Sequence, residues 1–288
     1  MEKSIAFIGA GNMGSRMARR LLAAGHPMIV CDQNATVRAT FDSLGARVTD
    51  KPGVCVGADI IIVMVYNAAQ VTDVLLGPHG ISAALGGSSS PIIVLMSTLL
   101  PNECTDLQSR LSRDRARIID APVGGGLYGA ERGTLTIMVG GEPEDVGVAQ
   151  PVLEILGQQI FHCGKLGAGQ VAKIVNNMIA IANLFVGAEG FDLAARNGIP
   201  LSTLAPVLEA CSGRNYFTED IARTRGNYGA WSESSAVFSA LTEIMEKDLA
   251  MAARLANEVG LTLPMSNAIA AGLPAISEHT RQQWQGLA

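Results

Sequence analysis

Gly9-Ala10-Gly11-Asn12-Met13-Gly14 decides how the first half of this chain folds. The six residues spell G-x-G-x-x-G. They follow Ser4-Ile5-Ala6-Phe7-Ile8, an apolar run patterned as a buried parallel strand, and they open a helical stretch from about Met13 to Ala24. Glycines so spaced allow a tight turn, close approach of the backbone to a pyrophosphate, and close packing of helix on strand. The helix N-terminus adds free N–H groups and a partial positive charge. Pro27 to Cys31 reads as a second strand that ends in Asp32, whose carboxylate can accept a ribose hydroxyl and would repel a 2′-phosphate. No Arg stands at Gln33 or Asn34, and Arg38 lies a full helical turn further on. Gly9, Gly11, Asn12, Met13, Gly14 and Asp32 are therefore expected to bind a dinucleotide, with NAD favoured over NADP.

Further strands are expected at 58–65, 92–96, 117–121, 135–139 and 159–162, with helices between them, notably 101–115 behind Pro101. Strands separated by helices imply an α/β fold, a Rossmann-type mostly parallel sheet covered on both faces. Gly86-Gly87-Ser88-Ser89-Ser90-Pro91 reads as a flexible turn. After Cys163 the pattern is helical throughout: 168–197, 201–212, 215–225, 235–260 and 264–281. The expected organisation is a dinucleotide-binding domain, 1–164, and an all-helical C-terminal domain, 165–288, opened by a long helix. Leu166 to Ala188 holds one formal charge, Lys173, but Gln170, Asn176, Asn177 and Asn183 argue against a membrane span and for a buried helix at a domain or subunit interface.

Composition narrows the classes. Of 288 residues, 48% are apolar and 16% charged, too apolar for disorder. A net charge of −5 argues against a nucleic-acid-binding surface. Four His and five Cys show no metal-ligand spacing, and scattered thiols with no secretory signal read as cytoplasmic. Cys31 and Cys163 are expected as small core residues and His162 as a hydrogen-bonded structural one.

The chemistry concentrates at 167–177, G-A-G-Q-V-A-K-I-V-N-N. Lys173 and Asn177, four apart, share a helix face. The functional reading has Lys173 in a cleft where burial favours its neutral, proton-accepting form, with Asn177 fixing a substrate hydroxyl or carbonyl. The plainer reading has Lys173 reaching the surface and Asn177 in a structural hydrogen bond. Asp120-Ala121-Pro122-Val123-Gly124-Gly125-Gly126 ends a strand with three glycines, whose exposed N–H groups can hold a carboxylate.

The order of these motifs resembles the β-hydroxyacid dehydrogenases over roughly residues 3–275. The carriers are F-I-G-A-G-N-M-G (7–14), M-S-T-L-L-P (96–101), D-A-P-V-G-G-G (120–126), the 167–177 stretch and K-D-L-A-M-A (247–252). The resemblance implies Lys173 as acid/base, Asn177 as its substrate-orienting partner, and Gly124, Gly125 and Gly126 as carboxylate binders. It further implies Val65, Tyr66, Asn67 and Thr98 on the nicotinamide side and Lys247 reaching toward the cofactor. The implied activity is hydride transfer between NAD(P) and a small 3-hydroxy acid of 3-hydroxyisobutyrate, serine, glycerate or threonate type, in a homodimer or homotetramer. Two departures from the family pattern stand out: Gly124 replaces a Ser, and Tyr66-Asn67 replaces Leu-Pro. A silent dinucleotide-binding redox sensor and an imine reductase-like enzyme are the alternatives, the latter disfavoured by Lys173.

Overall fold

A computed structural model describes residues 3–86, 90–111, 116–275 and 278–287. Parts of the turn expected at 86–91 and of the helices expected over 101–115 and 264–281 lie outside them. The chain forms two compact units, Met1–Lys173 and Ile174–Ala288.

In the first unit the elements run β1 (Ile5–Ile8), α1 (Asn12–Ala23), β2 (Met28–Cys31), α2 (Ala35–Ser43), β3 (Arg47–Thr49), β4 (Ile60–Val63), α3 (Ala68–Leu76), α4 (Ile81–Ala84), β5 (Ile92–Leu95) and α5 (Pro101–Leu111). Then come β6 (Arg117–Asp120), β7 (Val123–Gly124), α6 (Gly126–Arg132), β8 (Leu135–Gly140), α7 (Pro143–Leu156) and β9 (Gly157–Gly164). β1, β4 and β5 are buried along their whole length. Alternation sends Ile5, Phe7, Ile60 and Ile62 into one core and Ala6, Ile8, Ile61 and Val63 into the other, so helices cover both faces.

The sheet order is β3-β2-β1-β4-β5-β6-β8-β7, with β9 beside β8. β1 to β6 pair in parallel, and β8 runs antiparallel to β6 and β7 before pairing in parallel with β9. The mostly parallel sheet expected from the strand–helix alternation is present. Two elements escaped that reading: β3, a three-residue strand that is at best half-buried, and β7, a two-residue one.

α8 (Ala168–Arg196) is one unbroken helix that carries the chain from the first unit into the second. The second unit continues with α9 (Leu201–Ala210), α10 (Tyr216–Glu219), α11 (Ile221–Trp231), α12 (Ser235–Glu258), α13 (Pro264–Gly272) and α14 (Glu278–Leu287). The helix expected over 215–225 is divided at Asp220, whose carboxylate caps α11 through the Arg223 N–H. Ile181, Leu184, Ala188 and Phe191 of α8 pack into a core with Tyr228, Phe238 and Trp284. The buried helix expected here is buried on one stripe only. Val171, Val175, Ile179, Val186 and Leu193 are exposed in the single chain. Cys31 is buried as expected, but Cys163, near the end of β9, is exposed. The His162 ring stays structural, its Nε2 lying 2.9 Å from the Gly141 carbonyl.

Candidate active site

β1 sits between β2 and β4, the point where strand order reverses and where doubly wound sheets bind ligands beyond their carboxyl ends. The three glycines there have separate causes. Gly9 has φ of +92°, and a Cβ on it would lie 2.3 Å from the Met64 carbonyl oxygen. A Cβ on Gly14 would lie 2.1 Å from the Gly9 carbonyl oxygen, so a side chain there would hold α1 off the turn. Around Gly11 the space is open. No side chain caps α1 at Gly11, and no acidic residue stands in its first turn, so the N–H groups of Asn12 and Met13 face a site suited to an anion. An open face at the second glycine, closed packing at the other two and Asp32 alongside fit a dinucleotide.

Asp32 ties this turn to the next strand. One carboxylate oxygen accepts the Ala10 N–H at 2.8 Å and the other the Asn34 N–H at 2.8 Å. Each oxygen retains a lone pair for a ribose hydroxyl. Arg38 is nearer than its place in the sequence suggests: its Nη1 reaches back to the carbonyls of Asp32 at 2.7 Å and Gln33 at 2.9 Å.

The turns after β4 and β5 are locked together. The Ser97 hydroxyl accepts the Val65 N–H at 2.9 Å and donates to the Val65 carbonyl at 2.8 Å. Tyr66 is 60% exposed. Asn67 turns its side-chain oxygen to the Gln70 N–H at 2.9 Å and caps α3, the local use this departure from Leu-Pro serves. Thr98 is half-buried between Ser97 and Leu99.

On the other side of β6, Gly124 pairs with Thr136 of β8. Gly125 and Gly126 have φ of +111° and +61°, and both are exposed, so their N–H groups lie at the surface of a turn that opens α6. Asp120, at the end of β6, has no solvent exposure. Its oxygens accept the N–H groups of Gly167 at 2.6 Å and Gln170 at 2.7 Å, seating the N-terminus of α8. Burial pushes the Asp120 carboxyl up, and these backbone N–H bonds oppose the shift only in part. Gly169 makes this seat possible, since a Cβ there would lie 2.2 Å from the Met138 carbonyl oxygen.

Lys173 stands half-buried one turn after Gly169, and Asn177 follows one turn later. In the second unit the Asn177 amide donates to Asp248 at 2.6 Å, and the other Asp248 oxygen takes the Lys247 ammonium at 2.6 Å. Lys247, expected to reach toward the cofactor, is thus ion-paired with its neighbour. Among the described residues no group of His, Cys, Asp or Glu is arranged to hold a metal. Sequence reasoning passed over Asp120 and Gln170 as site residues. Both were visible as polar side chains beside apolar runs, but only the structure shows what they bond.

Residues 4–164 match the family described as the NAD binding domain of 6-phosphogluconate dehydrogenase. Residues 167–286 match the one described as NAD-binding of NADP-dependent 3-hydroxyisobutyrate dehydrogenase. The chain is 34% identical to 3-hydroxyisobutyrate dehydrogenase of Pseudomonas aeruginosa, across 98% of this chain and 95% of that one. It is 36% identical to the NAD-dependent L-serine dehydrogenase of the same organism, across 92% and 89%. The solved 3-hydroxyisobutyrate dehydrogenase of Mycobacterium tuberculosis with L-serine superposes with a TM-score of 0.78 at 29% identity, covering 96% of this chain and 94% of that one. Glycine turn, seated helix and full-length kinship agree: the chain belongs to the β-hydroxyacid dehydrogenase family and is an NAD(P)-dependent hydroxyacid dehydrogenase.

Proposed function

We propose that the protein reversibly oxidises a small 3-hydroxy acid of 3-hydroxyisobutyrate, serine, glycerate or threonate type, with Lys173 as the acid/base and NAD preferred to NADP. The observation that carries this reading is a half-buried lysine on a helix whose N-terminus is fixed to the parallel sheet by Asp120. NAD, when bound, supplies the hydride chemistry. Lys173 takes the proton of the substrate hydroxyl in oxidation and returns it in reduction. The N–H groups of Gly125 and Gly126 hold the substrate carboxylate, which makes the step effectively unimolecular, while that of Gly124 is taken up by pairing with Thr136. Asn177, oriented by Asp248, steadies the hydroxyl. Support for NAD comes from Asp32, a carboxylate just after β2 that can accept a ribose hydroxyl and would repel a 2′-phosphate. The names of the relatives, 3-hydroxyisobutyrate and L-serine dehydrogenases, support the substrate class. The exposed apolar side of α8 supports a homodimer or homotetramer.

Lys173→Ala should lower kcat by at least about 100-fold while NAD affinity, read by fluorescence titration, stays within about threefold. Near-normal turnover in that variant would remove Lys173 from the chemistry. Wild-type kcat/KM measured with both dinucleotides on a panel of 3-hydroxy acids tests the rest. A protein that binds NAD yet turns over none of them would be a sensor.

A further inference from the structure

Gln170 stands in the first turn of an apolar helix and has no exposure to solvent. Its side-chain oxygen accepts the Leu99 N–H at 2.9 Å, and its side-chain nitrogen donates to the Ser97 carbonyl at 2.9 Å. One amide thus satisfies the backbone on both sides of Thr98. The Ser97 hydroxyl carries the tie onward to both backbone groups of Val65. At the other end, the Gln170 N–H is held by Asp120. A buried polar side chain that bridges two elements is costly unless its bonds are made, and here both ends make them. The bridged turns follow the carboxyl ends of β4 and β5, the edge where a doubly wound sheet receives its ligand. Lys173 lies three residues after Gln170, a neighbouring position on the same helix.

We infer that Gln170 is a positioning residue for the reaction: its amide fixes the spacing between the helix turn bearing Lys173 and the cofactor-facing backbone at 97–99. This rests on the acid/base reading of Lys173. Asp120 sets where α8 begins, and Gln170 sets how that beginning faces the β5 turn. A proton donor and a hydride acceptor must keep one geometry, and displacement of about 1 Å is enough to cost about 100-fold in rate.

Gln170→Met keeps the length and apolar fit of the side chain and removes both bonds. The expected result is a kcat lowered by about 30- to 100-fold with KM for NAD changed by less than about threefold. Exchange of the Leu99 amide in the protein without ligands should quicken by at least about tenfold. Gln170→Glu adds a second reading that survives poor folding of the first variant. A protonated Glu can accept from Leu99 and donate to Ser97, whereas the ionised form can only accept. Its kcat relative to wild type, measured in the reduction direction, should therefore recover as pH falls, beginning above the ordinary Glu range because the site is dry. A Gln170→Met enzyme with kcat within about threefold of wild type overturns the inference, whatever its melting temperature. So does a loss confined to KM, or a Gln170→Glu ratio that does not change with pH. If Lys173→Ala itself retains turnover, the acid/base reading falls and the positioning role falls with it. A dead Lys173→Ala beside a normal Gln170→Met sinks the positioning role alone.

Discussion

Gly124 and Gly125 are neighbours with different reasons for lacking a side chain. Gly125 holds φ of +111°, which an L side chain rarely adopts. Gly124 lies in β7, and a Cβ there would meet only Met138 and Thr136 at 3.9–4.0 Å, ordinary contact. Its backbone does not require glycine, so a serine would fit the fold there. Gly124→Ser should leave the melting temperature within about 2–4 °C of the parent, the shift of about 1 kcal/mol in a chain this size. It should change KM for hydroxy acids by about 3- to 10-fold, the worth of one hydrogen bond, while KM for NAD holds. Steady-state kinetics on the substrate panel reads both quantities. Arg38 gives the converse lesson at this scale: its place in the sequence implied distance, and its long side chain removes it.

Among the elements, the start of α8 bears most of the consequence. Gly140 and Gly169 let β8, Asp120 and the helix approach one another, since added Cβ atoms would stand 2.3 Å from an Asp120 oxygen and 2.2 Å from the Met138 carbonyl. Gly169→Ala must therefore push the helix off its seat. The expected cost is about 1–3 kcal/mol in urea unfolding, with a drop in kcat larger than the stability loss explains. Unchanged kcat in a folded Gly169→Ala protein would show that the seat does not govern catalysis. β1, α1 and β2 were legible because a fully buried parallel strand, a glycine turn and an amphipathic helix each leave a local pattern. α8 was legible in extent, from its long apolar run. The antiparallel turn of β8 was not, because it depends on pairing Asp120 with Gly140, a choice made far along the chain. Nor were the bonds of Asp120 and Gln170: a sequence shows a polar residue in an apolar setting without showing what it touches. The break at Asp220 is a cap inside what read as one helix.

For the molecule as a whole, acid acts on Asp59 and Asp120 in opposite senses. Asp59 accepts the N–H and hydroxyl of Ser4, both at 2.8 Å, tying the residue before β1 to the one before β4. Those bonds hold its carboxyl below the ordinary Asp value. A depressed folded-state pKa means stability that is present above the unfolded value of about 3.9 and lost as pH falls through the folded one. Asp59→Asn should accordingly lower the melting temperature at pH 7, and the gap to the parent should close as pH drops below about 4. Circular dichroism melts of both proteins from pH 7 to pH 3 measure this, and a gap independent of pH would refute it. Asp120, raised by burial, works the other way: its ionised form weighs against folding until acid neutralises it.

The thiols divide in a useful way. Cys31, Cys55 and Cys104 are sealed inside the first unit, while Cys163 and Cys211 are open to reagents, one in each unit. A pair of spin labels or fluorophores can therefore be attached to the unaltered polypeptide, giving a molecular ruler between its halves that could be read as dinucleotide and hydroxy acid are added in turn.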